Sequence, residues 1–264
     1  MKRLAFLIIL LGLATAGCGS SGAVGEGAIS NVVSTTPTSG AVGSTVDGPS
    51  ISYQVFFERG ETLWPVTRSE SATAAVGAAA VNALLSGPTE AERANGVGSV
   101  VPDGTTLLGL DISGGTATVD LSSEYQSGGG SLSMTMRLAQ VVYTLTQFAT
   151  VKRVALRLDG SPVTVFSGEG IVLDRPQTRA GYDSLLPVIA VAAPGFGQRL
   201  TSPVHVAGLA NVFEANVSVE LLDQDGHVIA HDVTTASCGT GCWGSYALDL
   251  PFHVDHQQPG TIVV

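Results

Sequence analysis

Apolar positions change their period several times along this chain. Residues 4–13 form an unbroken apolar run behind Lys2 and Arg3, whereas residues 19–50 show no regular apolar period. Ser52-Tyr53-Gln54-Val55-Phe56-Phe57 is aromatic and β-branched, which predicts a strand, and Glu58-Arg59-Gly60-Glu61 reads as the turn after it. Residues 71–86 are alanine-rich, with Val76, Ala80, Ala83 and Leu84 near helical spacing, and they stop at the helix-terminating pair Gly87-Pro88. Val100-Val101-Pro102-Asp103-Gly104-Thr105 is a turn opening a strand over 107–112, and Gly114-Gly115 joins that strand to the alternating run 116–121, a hairpin signature. Leu138, Val141, Val142, Leu145 and Phe148 recur at helical spacing, so 132–148 is an amphipathic helix, with Gln147 expected on its outside. A strand over 154–158 follows and ends at Asp159-Gly160.

The order β-α-β-β-α-β over residues 51–174 predicts an α+β domain with helices covering one face of a small sheet. Residues 175–185 read as a linker. Over 186–264 the pattern becomes short, valine-rich or alternating strands at 187–191, 204–208, 217–222, 227–230 and 246–250, separated by Pro and Gly turns such as Asp225-Gly226. Many short strands predict an all-β sandwich. From Pro187 the domain is shorter than the roughly 100 residues such sandwiches use, and Thr261-Ile262-Val263-Val264 reads as the middle of a strand. The expectation is a sandwich that is incomplete at its C-terminus.

The apolar run 4–13 is too short for a bilayer that needs about 20 residues, so residues 1–18 read as a signal peptide. It leads into Leu13-Ala14-Thr15-Ala16-Gly17-Cys18, which resembles the lipobox of bacterial lipoproteins. Small side chains there let the extended backbone enter a signal peptidase, and the thiol accepts a diacylglycerol. Thr15 stands where leucine is commonest. The expectation is an exported protein lipid-anchored through Cys18 to the outer face of the cytoplasmic membrane. Residues 19–50, rich in Gly, Ser, Thr and Val, would be a flexible tether reaching roughly 30 Å.

Composition supports two folded domains: 264 residues, 44% hydrophobic and only 13% charged. The formal charge of -10 excludes nucleic acid as an expected partner, because such a face must neutralise phosphates with clustered Lys and Arg.

The search for chemistry returns little. All histidines lie at or after His205, so the first domain has no imidazole to serve as a general base. Asp103, Asp111, Asp120 and Asp159 stand at turns or strand ends, where aspartate is favoured for solvation and turn formation. Neither domain carries Gly-x-Ser-x-Gly, Gly-x-Gly-x-x-Gly, a P-loop or His-Glu-x-x-His. Cys238-Gly239-Thr240-Gly241-Cys242, with His253 and His256 downstream, admits a zinc reading, but His-x-x-His is tighter than the usual spacing. In an exported chain an even pair of cysteines more often forms a disulfide, so Cys238–Cys242 is the favoured pairing and no metal or other cofactor is expected. Trp243 is expected at the core or its rim.

Several separated motifs resemble a known family in order. Leu63-x-Pro65-Val66, Leu84-Leu85-Ser86-Gly87-Pro88-Thr89, Val101-Pro102-Asp103-Gly104-Thr105, Val119-Asp120-Leu121-Ser122 and Val142-Tyr143-Thr144-Leu145-Thr146-Gln147-Phe148 are similar to the GerMN domain, named for a lipoprotein of sporulation and spore germination. Pro187-Val188-Ile189-Ala190-Val191, Thr201-Ser202-Pro203-Val204, Gly208-x-Ala210, Val212-Phe213-Glu214-Ala215 and Trp243-Gly244 resemble the immunoglobulin-like domain often found after GerMN. The resemblance implies a non-catalytic envelope protein, acting in sporulation or germination where the organism makes spores. An envelope protein is the first partner it implies, and cell-wall polysaccharide the second. The alternatives are a cell-wall hydrolase or its accessory, working through paired carboxylates, and a polysaccharide-binding module. Ligand-binding residues are not identified by the sequence.

Overall fold

The computed structural model describes residues 6–10 and 49–264. Cys18 and the expected tether up to residue 48 lie outside the described residues. Strand β1 (Phe6–Leu10) runs antiparallel to the last strand, β15 (Pro259–Val263), from Phe6↔Val263 to Leu10↔Pro259. An open strand edge presents unpaired N–H and C=O groups, and an extended apolar run can take them up.

The first domain opens with a hairpin, β2 (Ser50–Arg59) and β3 (Thr62–Ser71). Gly60 and Glu61 at its turn both have positive φ, 58° and 65°, the geometry whose twist matches that of paired strands. The apolar pattern does not announce β3. Pro65 sits within it, opposite Phe56, and its outer half, Thr67-Arg68-Ser69-Glu70, is polar. Proline is tolerated because β2 and β3 form a two-stranded sheet, which leaves β3 an edge that needs no donor.

Because β3 continues to Ser71, the helix expected over 71–86 shortens to α1 (Val76–Leu85). A second helix, α2 (Glu90–Ala94), follows. Thr89 caps it reciprocally: its hydroxyl accepts the Glu92 N–H at 3.3 Å, and Glu92 Oε2 accepts the Thr89 N–H at 2.7 Å.

Strands β4 (Leu107–Ser113), β5 (Thr116–Leu121), β6 (Arg153–Leu158) and β7 (Ser161–Pro162) form a sheet in that order. β4 and β5 are antiparallel across Gly114-Gly115, whereas β5 and β6 are parallel. A parallel pair needs a crossover, which α3 (Ser131–Leu145) supplies while packing on β2, β3, α1 and β6. The domain is α+β with helices on sheet, and β3, α2 and β7 are additions to the order read from the sequence. A short hairpin, β8 (Val165–Phe166) and β9 (Ile171–Val172), closes it. Residues 175–185 lie against this domain, since Val154 and Gln177 exchange main-chain hydrogen bonds of 2.8 and 2.7 Å.

The second region is two sheets, β10 (Ile189–Ala193), β11 (Val204–Ala210) and β14 (Gly244–Leu250) in one, and β15, β12 (Asn216–Leu222) and β13 (Val228–Thr235) in the other. Alternation places Val206, Val217, Val219, Leu221 and Ile262 fully inside. Gly208 is required by close approach: a Cβ there would lie 1.9 Å from the Ala190 carbonyl and 2.7 Å from Tyr246 Oη. The two domains touch along β3, where Thr67 Oγ1 donates to the Ala192 carbonyl at 2.9 Å, and the Arg59 guanidinium lies over Trp64 and Phe196 at 4.6 and 5.8 Å.

Candidate functional site

The polar groups inside the first domain converge on α3. Gln140 and Thr144 stand at i and i+4 on α3, Gln147 follows in the turn just past its end, and the three lie along the edge of β2. Gln147 Oε1 accepts the Gln54 N–H at 2.7 Å, and Nε2 donates to the Gln54 carbonyl at 2.6 Å. Thr144 Oγ1 accepts the Phe56 N–H at 3.1 Å, and Gln140 Nε2 donates to the Phe56 carbonyl at 3.2 Å. Three side chains thus stand in for the neighbouring strand that β2 lacks. Gln147 is therefore half-buried and bonded rather than on the outside, because a strand edge beneath the helix needed both its donor and its acceptor.

Two arginines do similar work. Arg137 is buried and donates to the carbonyls of Val100 (2.9 Å), Tyr125, Ser127 (3.1 Å) and Gly128 (3.2 Å), while Tyr125 Oη donates back to the Arg137 carbonyl at 2.8 Å. Burial pushes the Tyr125 phenol well above its ordinary value, so it stays a donor. Arg179 stacks on Tyr143 at 4.7 Å, its Nε donates to Thr146 Oγ1 at 2.8 Å, and Tyr143 Oη donates to Asp183 at 2.7 Å. Residues 179–183 are strapped to α3 in this way.

Two open clefts, of about 510 and 450 Å³, flank Ser86-Gly87-Pro88 and share Arg93. Arg68, which lines the second of them, makes a two-pronged contact with Glu92, 2.5 and 2.7 Å. Burial raises the Glu92 carboxyl, but the Arg68 guanidinium and the Thr89 N–H outweigh it and hold the group below its usual range. A carboxylate so pinned is a strut, not a proton donor. Asp120 Oδ1 accepts the Gly160 N–H at 3.0 Å and Asp159 Oδ1 accepts the Ser123 N–H at 3.3 Å, while Asp103 and Asp111 are exposed. The structure joins none of these four to another as a catalytic pair.

In the second domain the sulfurs of Cys238 and Cys242 are bonded, with Cα atoms 5.9 Å apart. Their loop braces its neighbour: Thr240 N–H donates to the Val212 carbonyl at 3.0 Å and Gly241 N–H to Asn211 Oδ1 at 2.8 Å. Trp243 is half-buried, and its Nε1 donates to the Pro187 carbonyl at 3.0 Å. His253 and His256 are exposed, and His253 faces Asp255 at 3.4 Å rather than the cysteines. Among the described residues one other group of potential metal ligands gathers, Asp223, Asp225 and His227 on the β12–β13 turn. Asp223 Oδ1 there accepts the N–H groups of Asp225 and His227 at 2.9 and 2.8 Å, which lock the turn and hold its carboxyl below the ordinary range. Sequence reading registered only the Asp225-Gly226 turn, and Asp223 two residues earlier is its Asx partner.

The Thr89-Glu90-Ala91-Glu92 signature of α2 was equally available: threonine followed three residues later by glutamate marks a capping box. By contrast, nothing in the residues around Gln147 distinguishes a solvent amide from one that grips a strand.

Comparison with known proteins places these motifs. Residues 54–164 match the family described as sporulation and spore germination, and residues 188–264 match the family described as an immunoglobulin-like domain of bacterial spore germination. No curated protein matches the chain. Among solved structures it is similar to the first GerMN domain of the sporulation protein GerM from Bacillus subtilis, with 21% identity, 49% of this chain and 98% of that chain covered, and a TM-score of 0.42. It is also similar to the tandem GerMN domains of the same protein, at 16% identity, 76% and 62% coverage and a TM-score of 0.45. The chain therefore carries a GerMN-type sporulation and spore germination domain followed by an immunoglobulin-like domain of bacterial spore germination.

Proposed function

We propose that this chain is a non-catalytic interaction module of the bacterial cell envelope, held at the outer face of the cytoplasmic membrane by a lipid on Cys18. The observation that carries the non-catalytic part is the employment of the interior polar groups. Gln140, Thr144 and Gln147 complete a strand, Arg68 and Glu92 pin one another, and Arg137 and Arg179 hold loops to α3. Each already has a partner that fixes it, whereas a catalytic acid or base must meet substrate with its proton in play. Both matched families are described for sporulation or germination, which favours a role in assemblies of that kind.

Anchoring rests on the run 4–13 with its lipobox-like continuation to Cys18. Among the described residues no helix is long and apolar enough to cross a membrane. The direct test of the non-catalytic reading is incubation of the purified protein with peptidoglycan. No soluble fragments should appear, and fragment release abolished by replacing a carboxylate pair would establish the hydrolase alternative instead.

A further inference from the structure

Strand β15 depends on its outer neighbour more than on its inner one. β12 pairs with it only along residues 261–263, whereas β1 pairs with all of 259–263 and without a shift of register. Residues 259 and 260 therefore have β1 alone as their ladder partner. Ile262 of the same strand is fully buried, so β15 belongs to the core of the second domain.

Other strand edges of the chain carry devices against pairing with a further strand. Pro65 stands in β3 and Pro162 in β7. The ladder of β4 shifts register between Leu107 and Gly109, and that of β10 between Val191 and Ala193. β13 exposes His231 and Asp232, and the edge of β2 is taken by Gln140, Thr144 and Gln147. β15 has no charged residue and no shift, and its one proline, Pro259, is its first residue, where a strand tolerates it.

On the function proposed above, residues 1–17 leave the chain when Cys18 becomes its first residue, and β1 leaves with them. We propose that the vacated edge of β15 is a strand-acceptor site, whose occupant is an extended, uncharged apolar segment of a partner protein, added antiparallel as β1 is. Phe6-Leu7-Ile8-Ile9-Leu10, seated there before processing, displays the chemistry that fits. Main-chain hydrogen bonds give such a segment its affinity, and alternate side chains give it selectivity. A bilayer does not serve as occupant, because its core offers nothing to the N–H and C=O groups of an edge. A second β15 fits poorly: antiparallel self-pairing about Thr261 sets a proline, which lacks an N–H, at both ends of a five-residue ladder. The site gives the proposed interaction module its surface, and strand acceptance itself does not depend on a lipid at Cys18.

Hydrogen exchange of the full-length chain, made cell-free so that residues 1–17 are retained, tests this with Ile8→Pro in the middle of β1. Proline removes a ladder donor and should release β1, so the amides of residues 260–263 that face it should exchange roughly ten-fold faster or more. Amides of β11, in the other sheet, should not change. A peptide of residues 4–12, flanked by lysines for solubility, should restore slow exchange to the Ile8→Pro chain, a result that misfolding could not give. The same peptide carrying Ile8→Pro should not. Equal exchange in the two chains, a peptide that restores nothing, or a proline-bearing peptide that protects as well overturns the proposal. So does protection that rises with the concentration of the Ile8→Pro chain alone, which would make a second copy the occupant. Absence of acylation at Cys18 would leave each of these results standing.

Discussion

Gln147 holds Gln54 by both ends of its amide, accepting the strand's N–H at 2.7 Å and donating to its carbonyl at 2.6 Å. Replacing Gln147 with Leu removes both partners of a half-buried strand edge at once. The expected loss is about 2–3 kcal/mol, the cost of stranding a main-chain donor and acceptor. Urea unfolding measures it, and Gln147→Glu, which keeps the acceptor alone, should fall between Leu and wild type.

The Arg68–Glu92 pair makes stability depend on acid. Glu92 has a folded-state value below its ordinary 4.5, so its contribution is fully present above that ordinary value and is lost as pH falls through the folded one. Arg68→Met leaves a buried carboxylate without its cation and should cost about 3 kcal/mol at neutral pH. It should also flatten the acid limb of the stability curve, read from denaturant midpoints across that range.

Gly208→Ala drives a methyl group into the Ala190 carbonyl and the Tyr246 hydroxyl. Tyr246 Oη currently donates to that same carbonyl at 3.1 Å, so neither neighbour can withdraw freely. A loss of about 3 kcal/mol is expected. It should be confined to the second domain and be visible as early melting of its β-signal, with the α3 helix signal retained.

Much of this architecture was legible in the chain. The alternation of 116–121 became β5 with the same limits, and the spacing of Leu138, Val141, Val142 and Leu145 found α3. The unread elements share a physical cause. β3 hides behind Pro65 and a polar outer half because an edge strand in a two-stranded sheet tolerates both. The inward role of Gln147 and the buried state of Arg137 follow from where tertiary packing sets a strand edge and four loop carbonyls, which local periodicity does not encode. The exposure of Phe213 is likewise invisible in Val212-Phe213-Glu214-Ala215, since an aromatic residue that follows a valine reads as core.

The function proposed here rests most heavily on Cys18, whose lipid is proposed to hold both domains at a membrane surface. Mass spectrometry of the N-terminal peptide from the membrane fraction, run beside a Cys18→Ala variant, tests it most directly. The account predicts a mature chain beginning at acylated Cys18, and a variant released from the membrane fraction. A Cys18→Ala protein that stays membrane-bound, or a membrane-fraction chain whose Cys18 is unmodified, would contradict it.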